Sequence, residues 1–215
     1  IHFTDGNTKS IEMALGYIKR GVLTLEEVIN HLHQARQTVN DIFEYLFDHA
    51  WKLLTEGGRS VFLAISLFVN LTSKEALGAT AGLKDYYLDL ALEQLAELSL
   101  LDSTNNLEGK QHYYNTHPLA RAFSRAKLHE NPDFKKEARQ RQAYFYEQLL
   151  PQYQEIRAAL PNVNQEVYNI LDCINWCRKA GKDHLFISLV ANIWEFCNLL
   201  GLWDEFSKLA IEAME

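Results

Sequence analysis

The sequence predicts a mainly α-helical protein with one small β-hairpin. Apolar residues recur at helical spacing along nearly all of the 215 residues, whereas the two-residue alternation typical of half-buried strands is almost absent. The chain contains 47% apolar residues, only 10 Gly and 4 Pro, and a formal net charge of -7, so collagen-like, low-complexity and disordered sequences are excluded. A chain of this length buries roughly 70% of the surface that its unfolded form exposes, so it needs no metal or disulfide to fold.

Two helices are predicted at the beginning of the chain. The first covers residues 8–19 and ends before Gly21, which suits the left-handed position after a helix. The second begins at Thr24, because Thr24 and Glu27 have the spacing of a capping box, in which each side chain bonds to the other residue's backbone N–H.

Four further helices are predicted before the hairpin. A helix over 42–54 is expected to end at Gly57-Gly58, and a helix over 59–69 is apolar on most faces. That second pattern predicts the central buried helix of its domain. A short helix then begins at Ser73, and a longer one covers 84–98.

The hairpin is predicted where two short apolar runs flank a turn-rich segment. Residues 99–103 and 110–115 are expected to form its strands, with 104–109 as the connection. Three helices followed by a two-stranded wing is the element order of a winged-helix domain. We assign this domain to residues 39–130.

The last part of the chain is predicted to be helical throughout. A long charged helix begins at Pro132, and Pro161 is interpreted as a break between helices. Gly181 and Gly201 each end one helix shortly before the next begins. Short helical hairpins in succession are typical of a repeat array, in which each unit buries its apolar face against a neighbour. We assign this array to residues 131–215.

The sequence contains no recognisable catalytic or metal-binding constellation. Gly6 precedes Lys9-Ser10, but the spacing of a P-loop is missing and no strand precedes it. The closest histidine pairs do not share a helix face, and no zinc-binding spacing of Cys or His is present. Cys173 and Cys177 share a helix face among Trp and Ile residues and are interpreted as core residues. We therefore predict that the chain is not an enzyme and binds no metal.

Cysteine usage and hydropathy predict a cytoplasmic protein. The 3 cysteines are odd in number and lie among apolar residues, so we interpret them as reduced. No run approaches the roughly 18 apolar residues of a membrane span, and no signal peptide opens the chain. Because the chain begins at Ile1 and stops at Glu215 within an apolar-periodic stretch, we expect it to be a piece of a longer protein.

Charge patterning predicts that the winged helix does not bind DNA sequence-specifically. We assign the recognition helix to residues 73–85, where two lysines are balanced by one Glu and one Asp. Cations concentrate instead in residues 110–141. This stretch is interpreted as a solvated helix face, or as a surface for phosphate or an acidic partner.

The order of these parts resembles that of a known family. A helix that opens with Gly6, Asn7 and Thr8, the winged helix, and the segment Asn115-Thr116-His117-Pro118-Leu119 together resemble the STAND class of signal-transduction ATPases, also named NB-ARC. The C-terminal helices resemble the start of the tetratricopeptide-like arrays of bacterial members. The resemblance implies an upstream P-loop domain and ADP or ATP in the parent chain, with no cofactor in this chain itself. It further implies that Gly6, Asn7 and Thr8 lie near adenine and that His117 contacts the β-phosphate of ADP.

The resemblance also implies a function for the chain. We interpret it as a non-catalytic hinge of a STAND ATPase, with residues 1–38 as the end of the nucleotide-binding module, which couples nucleotide state to a sensing array. The alternative is a winged-helix transcription regulator with a helical effector or dimerisation domain. Trp194, Trp203 and Phe206 are predicted to bind a partner, either further repeats or a second copy, because they supply more apolar surface than two hairpins cover.

Overall fold

The computed structural model describes residues 8–19, 21, 24, 26–27, 30, 41–105, 112–152 and 156–214. This part of the chain is mainly helical and contains a small three-stranded antiparallel sheet, which confirms the predicted fold class. The elements are α1 (Thr8–Lys19), α2 (Asp41–Leu53), α3 (Glu56–Ile65), β1 (Thr72–Ser73), α4 (Lys74–Ala81), α5 (Asp85–Glu97), β2 (Asp102–Asn105), β3 (His112–Asn115), α6 (Pro118–His129), α7 (Pro132–Leu149), a 3-10 turn (Leu150–Gln152), α8 (Ile156–Lys179), α9 (Asp183–Leu200) and α10 (Trp203–Met214).

The signals at the beginning of the chain act as predicted. Helix α1 covers residues 8–19, and Gly21 follows it with a φ of +65°. The capping box forms: the Thr24 N–H donates to Glu27 Oε2 at 2.7 Å, and the Glu27 N–H donates to Thr24 Oγ1 at 3.2 Å.

The glycine pair 57–58 begins a helix instead of ending one, so that prediction is wrong. Thr55 is the N-cap of α3, and its Oγ1 accepts the Gly58 N–H at 3.1 Å. A side chain at Gly58 would displace Gln94, because a Cβ there would lie 2.4 Å from Gln94 Oε1. Helix α3 therefore begins and ends earlier than predicted, but its expected central position is confirmed, since Val61 and Ile65 are both 0% exposed.

The sheet has one strand more than the sequence predicts. Its order is β1-β3-β2, with all pairs antiparallel, and Tyr114 lies opposite both Thr72 and Ser103. Strand β1 has two residues, too few to carry an alternating pattern. The second strand begins at Asp102 instead of residue 99, because Ser99 has a φ of +55° and the Leu100 N–H closes the end of α5 on Leu95 at 2.9 Å.

The succession α3, β1, α4, α5, β2, β3 agrees with the predicted winged helix, and we call residues 56–115 the winged-helix unit. The helix directly before the wing is α5, residues 85–97. Our assignment of the recognition helix to residues 73–85 is therefore wrong, since that range covers α4 and the turn after it. The wing tip, which includes Lys110, lies outside the described residues.

The C-terminal helices, α7 to α10, contain the predicted glycine turns. Gly181 and Gly201 have φ values of +62° and +72°, and each is followed by an N–H that bonds back into the preceding helix at 2.9 Å. Pro161, however, lies inside α8, so its interpretation as a break is wrong. It is the sixth residue of that helix and lies near its N-terminal end. The first N–H groups of a helix have no partner within the helix, so a proline close to this end removes few hydrogen bonds.

One hydrophobic core joins the winged-helix unit to the C-terminal helices. Leu77 of α4, Tyr146 of α7 and Ile170 of α8 belong to a single buried cluster. Helix α4 packs against α7, and β1 packs against α8. The predicted domain boundary at residues 130 and 131 stays a prediction. Among the described residues, no helix is both long and apolar enough to cross a membrane.

Candidate functional site

The junction between the winged-helix unit and α8 depends on a buried asparagine. Asn169 is 0% exposed. Its Oδ1 accepts the backbone N–H groups of Val69 and Asn70, each at 2.9 Å, and its Nδ2 donates to the carbonyl of Leu71 at 2.7 Å. One side chain of α8 therefore satisfies three consecutive backbone positions of the segment that leads into β1.

A buried glutamate extends this junction by one helical turn. Glu166 is 6% exposed, and its Oε1 accepts the Ser73 N–H at 2.8 Å. The Tyr146 hydroxyl of α7 donates to Glu166 Oε2. Burial raises the pKa of Glu166 above its ordinary value, although both hydrogen bonds oppose this shift. Ser73 is at the same time the N-cap of α4 and accepts the Ala76 N–H at 3.3 Å.

Helical spacing explains why both side chains reach the same segment. Glu166 and Asn169 lie three residues apart on α8 and therefore share one face of that helix. The segment they bind, residues 69–73, connects the buried helix α3 to α4. A movement of α8 relative to the winged-helix unit must break several buried hydrogen bonds, so the two parts are mechanically coupled.

Helix α5 presents an acidic and aromatic surface. Asp85, Asp89, Glu93 and Glu97 recur every four residues and are exposed, and the helix contains no Lys or Arg. Tyr86 and Tyr87 are 67% and 72% exposed. Lys74 of α4 forms an ion pair with Asp89. The surface thus has aromatic rings at its N-terminal end and carboxylates along its length.

The cation-rich stretch 110–141 is used largely inside the molecule. Its four arginines bind other parts of the chain. Arg121 donates to the Phe68 carbonyl and, at 2.6 Å, to Asn115 Oδ1, and Arg125 donates to the Ser66 carbonyl at 3.4 Å. Arg139 pairs with Asp172 at 2.8 Å, and Arg141 donates to the Thr80 carbonyl at 3.1 Å. Burial lowers the pKa of Arg121. Interpreting the stretch as a solvated helix face therefore misses its main structural role.

His117 caps a helix. It is the N-cap of α6, with Pro118 in the next position, and its Nδ1 accepts the Leu119 N–H at 3.3 Å. Thr8 is the first residue of α1. Gly6 and Asn7 lie outside the described residues.

The three aromatic partner-binding candidates lie on the last two helices. The rings of Trp194 and Phe206 are in contact, with centroids 5.6 Å apart. Trp194 and Trp203 are 46% and 54% exposed, whereas Phe206 is half-buried. Their role in binding a partner stays a prediction.

The cysteines lie in the core. Cys173, Cys177 and Cys197 are buried free thiols, in agreement with their interpretation from the sequence. A hydrogen bond with Cys177 and burial raise the pKa of Cys173 well above its ordinary value. Among the described residues, no group of three or more His, Cys, Asp or Glu side chains is placed to hold a metal ion.

Comparison with known proteins finds one informative similarity. The chain is 26% identical over 214 residues to the transcription activator GutR of Bacillus subtilis (strain 168). The match covers 94% of this chain and 26% of GutR, so the chain spans about a quarter of the length of that protein. No protein-family model and no solved structure matches the chain.

This similarity corrects four predictions from the sequence. The resemblance to STAND or NB-ARC ATPases is wrong, because no such family matches and the similar protein is a transcription activator. The predicted hinge function and the predicted P-loop partner domain depended on this resemblance and are therefore wrong as well. The roles of His117, Gly6, Asn7 and Thr8 in binding ADP rested on that resemblance alone and are not carried further. The prediction that sequence-specific DNA is an unlikely partner is also wrong, because the similar protein is a transcription activator.

Sequence reasoning missed the residues that carry the junction. Glu166 and Asn169 are polar residues three positions apart, in a helix whose neighbouring positions Val167 and Ile170 are buried. Polar residues among core positions are the one available signal, since a buried polar group needs a partner. The exposed pair Tyr86-Tyr87 was missed because the recognition helix was placed one helix too early.

Proposed function

We propose that the chain is a segment of a transcription regulator that joins a winged helix to a helical effector unit. The similarity to a transcription activator over 94% of the chain supports the class of function. The succession of elements in residues 56–115 supports a winged helix as the part that acts on DNA.

The hydrogen bonds at the junction are the observation that carries this proposal. Asn169 and Glu166 belong to the C-terminal helices, yet they bind the backbone of the segment directly before α4. A change in the C-terminal helices is therefore transmitted to the base of the winged-helix unit without an intervening linker. A regulator needs such a physical connection between the part that senses a signal, here the C-terminal helices, and the part that acts on DNA, here the winged-helix unit.

DNA contact by this unit begins with the first turn of α5. In helix-turn-helix proteins the N-terminal residues of the recognition helix reach the bases, and tyrosine hydroxyls can donate to phosphate oxygens. Lys84, Tyr86 and Tyr87 are exposed at this end of α5. The four carboxylates of the helix oppose binding, so we expect the isolated chain to bind DNA weakly and with strong salt dependence.

The proposal is tested by selecting duplexes from a random library with the purified chain and sequencing the bound fraction at low salt. We expect a common sequence to be enriched. Tyr86→Ala combined with Tyr87→Ala should abolish enrichment, whereas Tyr144→Ala, which removes an exposed ring from α7, should not. Equal enrichment by both variants, or no common sequence at all, contradicts DNA reading by α5.

A protein partner is the second candidate for the surface of α5. The recurring carboxylates beside exposed Tyr86, Tyr87 and Leu90 favour a basic protein surface with an apolar centre. The two candidates respond oppositely to charge. Removal of carboxylates strengthens contact with DNA and weakens contact with a basic protein.

The remaining roles follow from this proposal. As part of a regulator, the chain acts in the cytoplasm and performs no catalysis of its own. Incubation of the purified chain with ATP and Mg²⁺ checks the second point: we expect no phosphate release above that of a matched blank.

A further inference from the structure

A small cavity lies at the junction between the winged-helix unit and the C-terminal helices. Its volume is about 120 Å³. The side chains that matter for its chemistry are Ser73 and Tyr113 from the winged-helix unit, and Phe145, Tyr146 and Glu166 from the C-terminal helices. The cavity thus adjoins the hydrogen bonds that couple the two parts of the molecule.

The charged residues that line the cavity are acidic. Its described charged members are the carboxylates of Glu166 and Glu75, and no Lys or Arg is among them. Glu166 is buried and bound by two neutral donors, the Ser73 N–H and the Tyr146 hydroxyl. A carboxylate in such surroundings gains most from a cation that replaces the water it has lost.

The aromatic side chains favour the same class of ligand. The rings of Phe145 and Tyr146 are arranged edge to face, with centroids 5.4 Å apart, and both residues line the cavity together with Tyr113. Aromatic faces attract organic cations, and ammonium ligands are recognised in proteins by such faces. Apolar residues, among them Val163 and Ile170, complete the lining and suit a hydrocarbon chain.

We propose that this cavity binds a small primary ammonium ion, with its nitrogen at the Glu166 carboxylate and its hydrocarbon part against Phe145 and Tyr146. An apolar cavity of about 150 Å³ accepts benzene, so a cavity of about 120 Å³ accommodates an amine of about five non-hydrogen atoms. n-Butylammonium has this size and carries no other functional group.

Binding there has a direct consequence for the junction. An ammonium group at Glu166 competes for the carboxylate oxygens that now accept the Ser73 N–H and the Tyr146 hydroxyl. The ligand therefore acts on the backbone next to α4. The regulatory meaning of this effect rests on the proposed function, whereas the binding itself does not.

The binding is tested without DNA, so its outcome is separate from that of the proposed function. Amide chemical shifts of the ¹⁵N-labelled chain are followed while n-butylammonium chloride is added, with n-butanol and NaCl as matched titrants. We expect saturable shifts at Ser73, Tyr146 and Glu166 with the ammonium ion, and binding at least tenfold weaker with the alcohol. Equal binding of both titrants, or no saturable shift with either, overturns the proposal.

Variants locate the site. Glu166→Gln keeps the shape of the side chain and should weaken n-butylammonium binding at least tenfold, whereas Glu137→Gln, an exposed change on α7, should leave it unchanged. Leu149→Phe adds volume to a residue that lines the cavity and should also weaken binding, so the test survives if Glu166→Gln fails to fold. Undiminished binding by folded Glu166→Gln or Leu149→Phe protein overturns the assignment.

Discussion

Replacing Asn169 with alanine should destabilise the protein far more than an asparagine-to-alanine change elsewhere in the C-terminal helices. The replacement removes three hydrogen bonds, two accepted at 2.9 Å and one donated at 2.7 Å. At a net contribution of about 1 kcal/mol each, and with Val69 and Asn70 partly open to water, the expected loss is about 2–3 kcal/mol.

Asn192→Ala is the matched control. Asn192 lies in α9 and makes one hydrogen bond, from Nδ2 to the Ser188 carbonyl of its own helix at 2.7 Å. Both replacements gain the same helix propensity, about 0.6 kcal/mol. The difference between the two variants therefore reports the bonds that cross the junction together with the greater burial of Asn169.

The assay is urea unfolding followed by far-ultraviolet circular dichroism. A loss of about 2–3 kcal/mol lowers the urea midpoint by about 1 M for a protein of this size. Hydrogen exchange adds a local reading, because the amides of Val69 and Asn70 should exchange faster in Asn169→Ala. If the unfolding free energies of Asn169→Ala and Asn192→Ala agree to within about 0.5 kcal/mol, the junction does not couple the two parts.

Three further predictions concern the same core. Gly78→Ala places a Cβ 2.5 Å from Leu88 Cδ2 and should lower the free energy of unfolding by about 1–3 kcal/mol through overpacking of α4 against α5; an unchanged thermal midpoint would contradict this. Because burial raises the pKa of Glu166 above 4.5, the folded chain holds that proton more tightly than the unfolded chain, and the unfolding free energy should fall as pH rises from 4.5 through the raised pKa. Glu166→Gln should flatten this dependence, and an identical pH profile in the variant would speak against it. Arg121→Met keeps the aliphatic stem but loses the bonds to the Phe68 carbonyl and Asn115, so urea unfolding should report a loss of about 2 kcal/mol; full retention of stability would mean that the bonds contribute nothing.

Local signals in the sequence predicted most of the secondary structure. The helix over 8–19, the capping box at Thr24 and the glycine turns at 181 and 201 depend on residues close together in the chain. Each is specified by backbone geometry that a particular residue type favours. Such features need no knowledge of tertiary packing.

Errors arose where packing overrides local preference. Gly58 was interpreted as a helix end, yet it lies in the first turn of α3, where Gln94 of α5 leaves little room for a side chain. Pro161 was interpreted as a break, yet α8 continues through it and buries Val163 and Val167 against the core. In both cases the deciding neighbour is distant in sequence or lies on another element.

The junction could not be predicted from the sequence for the same reason. Asn169 and its partner Val69 are 100 residues apart, and no local pattern connects them. The four arginines of residues 121–141 were counted as surface charge, although their guanidinium groups bind carbonyls and carboxylates of other elements. Element order was predictable, whereas partners across the core were not.

The most direct test of the proposed function is the effect of charge on DNA affinity. Fluorescence anisotropy with a duplex recovered by the selection is measured for the wild type and for Asp85→Asn combined with Glu93→Gln, at low and moderate salt. Glu195→Gln combined with Asp204→Asn makes the same change in net charge on exposed positions of α9 and α10. If α5 faces DNA, the α5 variant binds several-fold more tightly than both the wild type and the control. Unchanged or weaker binding by the α5 variant contradicts the account.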